Sequence, residues 1–257
     1  MQALWLTLTG ALIGLIVGLS GVGGGSLMTP VLIFVFRVPP HLAVGTDLLF
    51  AAFTKMGGTV SMARQKLVPW RSVALLSAGS IPSALLTLAA LAHWGAASEA
   101  VAHWIQSLLG VALLLTAAAT LHKAWWQSHT RPVRADARPV APWWPVLFGA
   151  VIGALVSITS VGAGAIGVTV LLLLFPHLPL HRIVAADIAY AVPLTLVAGL
   201  GHASLGSVDW ALLAWLLLGS LPGIWLGSRL VPKAPVRWVR TGLSLLLLTA
   251  GGKLVGL

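Results

Sequence analysis

The chain has no cysteine, a single tyrosine and only five acidic residues in 257 positions, and each shortage removes a class of function. Without cysteine there are neither disulfides nor thiolate metal sites. Charged residues make up 8% of the chain, whereas a soluble domain carries roughly a quarter. A water-soluble globule, which needs polar side chains to cover its surface, is thereby excluded. Five carboxylates spread along the chain do not assemble a nucleophile and base, and no histidine stands in a carboxylate cluster of the kind a metal site needs. The G-x-x-x-x-G-K-[ST] phosphate loop is also missing, which argues against ATP-driven work by this chain alone. No cofactor is expected.

What the sequence has in quantity is apolar length. Hydrophobic residues make up 58%, and mean hydropathy is +1.00. Apolar segments run roughly over 3–36, 41–62, 71–92, 100–121, 143–176, 182–203, 209–229 and 237–256. The N-terminus lacks a positive flank and a cleavage site, so it reads as structure rather than a signal peptide. Of twelve tryptophans, Trp70, Trp94, Trp104, Trp125, Trp126, Trp143, Trp144, Trp210 and Trp238 sit near segment ends, as an interfacial belt requires. The polar, Pro- and Arg-rich stretch WWQSHTRPVRADARPVAP is a linker and divides the chain into 1–122, 123–142 and 143–257. The net charge of +10 falls in short loops rather than on one amphipathic face, so it marks topology and not a nucleic-acid partner.

The two long parts are related. At an offset of 140 residues Pro39 falls on Pro179, His41 on His181, Asp47 on Asp187 and Trp70 on Trp210, and Gly79, Ser80 and Pro82 fall on Gly219, Ser220 and Pro222. Rare residues matching in order indicate a duplication. Arg64, Lys66 and Arg71, then Lys123, Arg131, Arg134 and Arg138, then Arg229, Lys233, Arg237 and Arg240 mark cytoplasmic loops, whereas the turns near 93–99 and 204–209 carry no Lys or Arg. Equivalent loops therefore lie on opposite sides. The segments 3–36 and 143–176, too long for one span and too short for two, are expected each to dip in and return; a single kinked span ranks second, because it would make the halves parallel and scatter the positive charge on both sides. The expected fold is an all-α integral membrane protein of two inverted-topology repeats, each a glycine-broken re-entrant hairpin plus three transmembrane helices. Both termini lie outside and the linker in the cytoplasm.

Each hairpin tip is rich in glycine: Gly23, Gly24, Gly25 and Ser26 in the first, Gly162, Ala163 and Gly164 in the second. A half-helix starting at such a tip aims free N–H groups and a positive dipole end into the membrane, a ready anion site. Inverted-repeat transporters bind substrate at such broken helices. The same glycines also suit plain helix packing. Asp47, Lys55 and Asp187 are ionisable groups within spans and are costly there unless paired or hydrated. Lys55, two turns beyond Asp47, either pairs with a bound anion or neutralises a carboxylate. Asp47 and Asp187 are either structural or carriers of a coupling proton, and Thr46 adds a hydroxyl. The residues point to a secondary transporter of a small anion by alternating access, with an anion channel next and an intramembrane enzyme third. A homo-oligomer is left open.

The blocks GLSGVGGGSLMTPVL, AVGTDLLFAAFTKMGGT, LVPWRSV and GSIPSALL, followed by SVGAGAIGV, AADIAYAVPLTL, GSVDWALL and GSLPGIWLGSRL, resemble the TauE/SafE family of bacterial membrane transporters, or sulfite exporters. The resemblance covers nearly the whole chain. It implies the bacterial inner membrane, and a small anion as substrate, sulfite or an organosulfonate such as sulfoacetate.

Overall fold

The computed structural model describes residues 2–20, 25–95, 98–126, 140–230 and 236–256. Among the described residues the secondary structure is helical throughout: α1 (Gln2–Ser20), α2 (Gly25–Phe34), α3 (Pro40–Arg64), α4 (Trp70–Trp94), α5 (Glu99–Trp126), α6 (Trp143–Thr159), α7 (Ala165–Leu174), α8 (Leu180–Ser204), α9 (Trp210–Leu230) and α10 (Val236–Val255). The starts of α2, α3, α4, α7, α8 and α9 obey the spacing of 140 read from the sequence. Each overlong apolar segment is two helices, α1 with α2 and α6 with α7.

Local chemistry sets these boundaries. Pro39 (φ −53°, ψ 141°) and Pro179 (φ −67°, ψ 151°) hold extended backbone just before α3 and α8. An extended proline cannot continue a helix backwards, so each start is fixed without a capping hydroxyl. Two residues past the ends of α3 and α8 the chain turns left-handed, at Lys66 (φ 57°) and Gly206 (φ 71°). The left-handed residue ends the helix and turns the chain into the next one.

In lipid, apolar burial does not drive helices together, and close packing must do so instead. Glycine supplies the closeness. Gly10 and Gly14 of α1 lie against the backbone of Leu216 and Ser220 of α9, while Gly219, Gly223 and Gly227 of α9 lie against Thr7, Ala11 and Leu15 of α1. Gly149 and Gly153 of α6 meet Leu76 and Ser80 of α4 in the same way, and Gly79 of α4 meets Val146. In both pairs the partner number rises along the chain, so α1 runs parallel to α9 and α6 parallel to α4. Helices α3 and α8 run antiparallel through the middle, Gly45 meeting His202, Gly199 meeting Leu49 and Gly58 meeting Ile188. Helix α5 pairs with α10 where Gly110 faces Gly251.

The outer surface is apolar, with Leu86, Trp94, Trp104, Leu218 and Leu246 all exposed. A soluble protein does not expose apolar side chains on this scale. Four helices are long and apolar enough to cross a membrane, over Trp70–Trp94, Glu99–Leu121, Leu180–Ser204 and Trp210–Gly227. Helix α3 matches α8 in length at 25 residues, but carries Asp47 and Lys55. In α10 the apolar part is Thr241–Val255.

Candidate functional site

The break between α6 and α7 is the most irregular described backbone. Ser160 closes α6 in the left-handed region (φ 59°, ψ 0°), its N–H donating to the Val156 carbonyl at 2.7 Å. Gly162 (φ 132°) and Gly164 (φ 149°) follow in conformations that L side chains rarely adopt. These glycines are therefore required by the turn itself. Beyond it α7 begins at Ala165, and Gly167 N–H donates back to the Gly162 carbonyl at 2.9 Å, tightening the tip. Each helix start leaves N–H groups without helical acceptors.

Lys55 reaches this tip from α3. Its side chain is 6% exposed, and Nζ donates to the Ala163 carbonyl at 3.0 Å. The bond joins residues 108 positions apart, so the first part of the chain touches the second part's glycine turn through a buried cation. An ammonium in an apolar interior is tolerated only where acceptors or opposite charges surround it. Both Asp187 and Asp47 act electrostatically on Lys55, Asp187 more strongly.

Asp47, two turns earlier on α3, is fully buried. Its Oδ2 accepts from the Thr29 N–H at 3.2 Å and from the Thr29 hydroxyl, both on α2. Its Oδ1 has no donor among the described residues. The Ser160 hydroxyl lies beside Asp47 and is itself buried and without a hydrogen bond of standard geometry. Asp187 is 3% exposed and rests on Gly167 in the first turn of α7, where any Cβ would strike its carboxylate. It also acts on Tyr190, the chain's only tyrosine, whose buried hydroxyl faces Ser80 of α4.

Of the residues expected from the sequence, Asp47, Lys55, Gly162, Ala163, Gly164 and Asp187 come together around the α6–α7 turn. Gly23 and Gly24 lie outside the described residues, while Gly25 and Ser26 open α2. Thr46 looks elsewhere: its hydroxyl accepts the Asp209 N–H at 3.0 Å, and Asp209 in turn caps α9 through the Leu212 N–H at 2.9 Å. Thr29, Tyr190 and Ser80 were not among the expected site residues, whereas Ser160 was one of the hydroxyls expected near the second tip. Tyr190 carried a signal, being a phenol in an otherwise apolar segment. His202, at the far end of α8, is buried with Nε2 2.8 Å from the Ser157 carbonyl.

An apolar cavity of about 630 Å³, lined by Trp94, Trp104, Ile105 and Ile158, contains none of these residues.

Residues 6–254 match the family described as sulfite exporter TauE/SafE. The probable membrane transporter protein YjnA of Bacillus subtilis (strain 168) is 38% identical over 252 residues, covering 97% of this chain and 98% of the relative. Two further probable membrane transporter proteins of the same organism, YdhB and YunE, are 25% and 26% identical, over 88% and 90% of this chain and 90% and 87% of their own lengths. No solved structure matches the chain.

Proposed function

We propose a function from one premise: this chain belongs to the sulfite exporter TauE/SafE family. It is a membrane transporter. Its substrate is a small anion, sulfite or an organosulfonate such as sulfoacetate, held between the Gly23–Ser26 and Gly162–Gly164 tips beside Lys55 and moved by alternating access. Export is the direction the family's description carries. The observation that carries the reading is Lys55, a buried ammonium whose hydrogen bond ends on the carbonyl of a glycine turn. An arriving anion offers that ammonium a far stronger partner than a carbonyl does. The glycine turn supplies helix N–H groups for the same ligand.

The membrane arrangement belongs to this proposal. Helix α6 runs parallel to α4, and Arg182, in the first turn of α8, donates Nε–H to the Leu67 carbonyl just before α4. Both observations support a segment 143–176 that enters and leaves on one side. On the opposite side, α1 runs parallel to α9, and the Asp209–Thr46 bond ties the head of α9 to the head of α3, where the segment 3–36 ends. Two re-entrant pairs entering from opposite faces of an inner membrane follow, with six spans, the linker in the cytoplasm and both termini outside.

Two measurements test this. In proteoliposomes, labelled sulfite, thiosulfate, sulfoacetate or taurine should exchange with unlabelled anion inside, and sulfate serves as comparison. Movement of none of them removes the sulfur assignment. Since the chain has no cysteine, single replacements Ala100→Cys and Ser204→Cys should both react with an impermeant thiol reagent from outside, and Gln65→Cys only from the cytoplasm. Reaction of Ser204→Cys from the cytoplasm alone would discard the opposed orientation.

A further inference from the structure

The site holds two carboxylates against one ammonium. Asp47, Asp187 and Lys55 are all buried, so with every group ionised the surroundings of the proposed anion are net negative. In a low-dielectric interior an anion does not enter such a site unless a positive charge enters with it. The geometry separates the two carboxylates. Asp187 is the stronger electrostatic partner of Lys55. Asp47 has one oxygen taken by the Thr29 N–H and hydroxyl and the other without a donor among the described residues. Beside it stands the Ser160 hydroxyl, buried and without a bond of standard geometry, on the opposed glycine turn. A serine hydroxyl can donate to an ionised carboxylate and accept from a protonated one, so the same pair can serve both charge states of Asp47.

We infer that Asp47 Oδ1 is the carrier of a proton that travels with the anion, and that protonated Asp47 donates to Ser160 Oγ across the two tips. This rests on the anion-transport reading above. The step is a bare proton transfer: Oδ1 takes a proton from hydronium on whichever side the alternating bundle opens to, the Oδ1–H bond forms, water is left, and the carboxylate loses its charge. The anion then meets one carboxylate and one ammonium instead of two and one. By linkage the anion raises the site's affinity for the proton by the same factor as the proton raises its affinity for the anion. The Asp47–Ser160 contact also joins α3 to the α6–α7 turn, so loading the proton bridges the two parts of the chain that must rearrange.

The charged and titratable groups around Asp47 are few. Lys55 is on its own helix, Asp187, Tyr190 and His202 are on α8, and Asp209 is at the head of α9. Helices α2 and α6 carry none, and those of α5 (Glu99, His103, His122, Lys123) lie at its two ends. No other carboxylate on these elements sits within the middle of a helix.

The test uses the full chain in proteoliposomes with a pH dye inside and outward-facing addition of sulfoacetate or thiosulfate, both fully ionised near pH 7. The expected result is acidification of the lumen together with anion entry, in a fixed ratio. Asp47→Asn should lose the acidification, so that protons moved per anion fall at least tenfold, and its counterflow should lose dependence on pH. Asp187→Asn should keep a proton-to-anion ratio near the wild-type one whatever its rate. Anion entry by the wild type without acidification overturns the inference and leaves the transport reading standing. If neither anion moves, and labelled sulfite does not either, the transport reading and this inference fall together. If Asp47→Asn does not fold, Ser160→Ala decides: a wild-type ratio and pH profile in that variant removes the assigned pair, while a lowered ratio supports it.

Discussion

Asp47 and Asp187 occupy equivalent positions on α3 and α8, yet they keep different company. Asp47 is bonded to Thr29 and stands beside a serine hydroxyl; Asp187 rests on Gly167 and acts on Lys55 and Tyr190. The residues that make the difference lie at paired positions. Lys55 corresponds to Thr195, whose hydroxyl bonds back to the Ala191 carbonyl at 2.8 Å; Tyr190 corresponds to Phe50, and Thr46 to Ala186. The packing surfaces do not diverge in this way, since Gly10 and Gly14 against Leu216 and Ser220 repeat as Gly149 and Gly153 against Leu76 and Ser80. The two parts of the chain thus share like helix contacts while their polar residues differ. Identical carboxylate sites would give a symmetric pair with nothing to distinguish their roles, and one lysine is enough to break the tie.

That contrast can be broken most severely at the glycines. Gly79→Leu and Gly219→Leu each drive a side chain into backbone, the Val146 carbonyl in one case and the Thr7 carbonyl in the other. Each should cost roughly 3 kcal/mol or more, because backbone cannot yield as a side-chain end can. Size-exclusion profiles and melting curves in detergent should show both variants losing the folded peak. Tolerance of one and not the other would mean the two packing surfaces are not equivalent.

Next in size is Lys55→Ala, which leaves the buried carboxylates without their cation. Counterflow of the transported anion should fall by about 30-fold, corresponding to roughly 2 kcal/mol of lost interaction. Thr195→Val, at the paired position, should change counterflow less than about twofold, because its hydroxyl serves only its own helix. Equal losses at both positions would erase the asymmetry.

Thr29→Val removes a hydroxyl from a buried carboxylate, a loss of about 1.5–3 kcal/mol for a bond to a charged group. It should appear as a drop of several degrees in melting temperature. The smallest effect belongs to Thr46→Val, which frees the Asp209 N–H at the head of α9 at about 1 kcal/mol. A small drop in melting temperature checks it.

Asp47, Lys55 and Asp187 were legible because an ionisable residue inside an apolar run is conspicuous at any position. Thr29 was not, and Ser160 only by its place at the second tip, since hydroxyls in membrane helices usually serve their own backbone. Thr54, Thr59, Thr87 and Thr195 do so here, each donating to the carbonyl four residues back. Only the crossing of α2 and of the α6–α7 turn with α3 sets Thr29 and Ser160 beside Asp47. Thr46 shows the converse, since a residue adjacent to Asp47 in sequence points about 100° away around the helix and serves a different loop.

The apolar solvent of the chain, its helical segments and the spacing of 140 between matching helix starts were already readable in the sequence, because hydropathy and helix period act locally. The sequence also determined that two glycine-rich breaks must exist. Which atoms meet at those breaks was decided by tertiary structure alone. Lys55 and Ala163 are 108 positions apart, and they touch only because glycine surfaces on α1, α4, α6 and α9 let the two parts of the chain approach until their backbones are in contact.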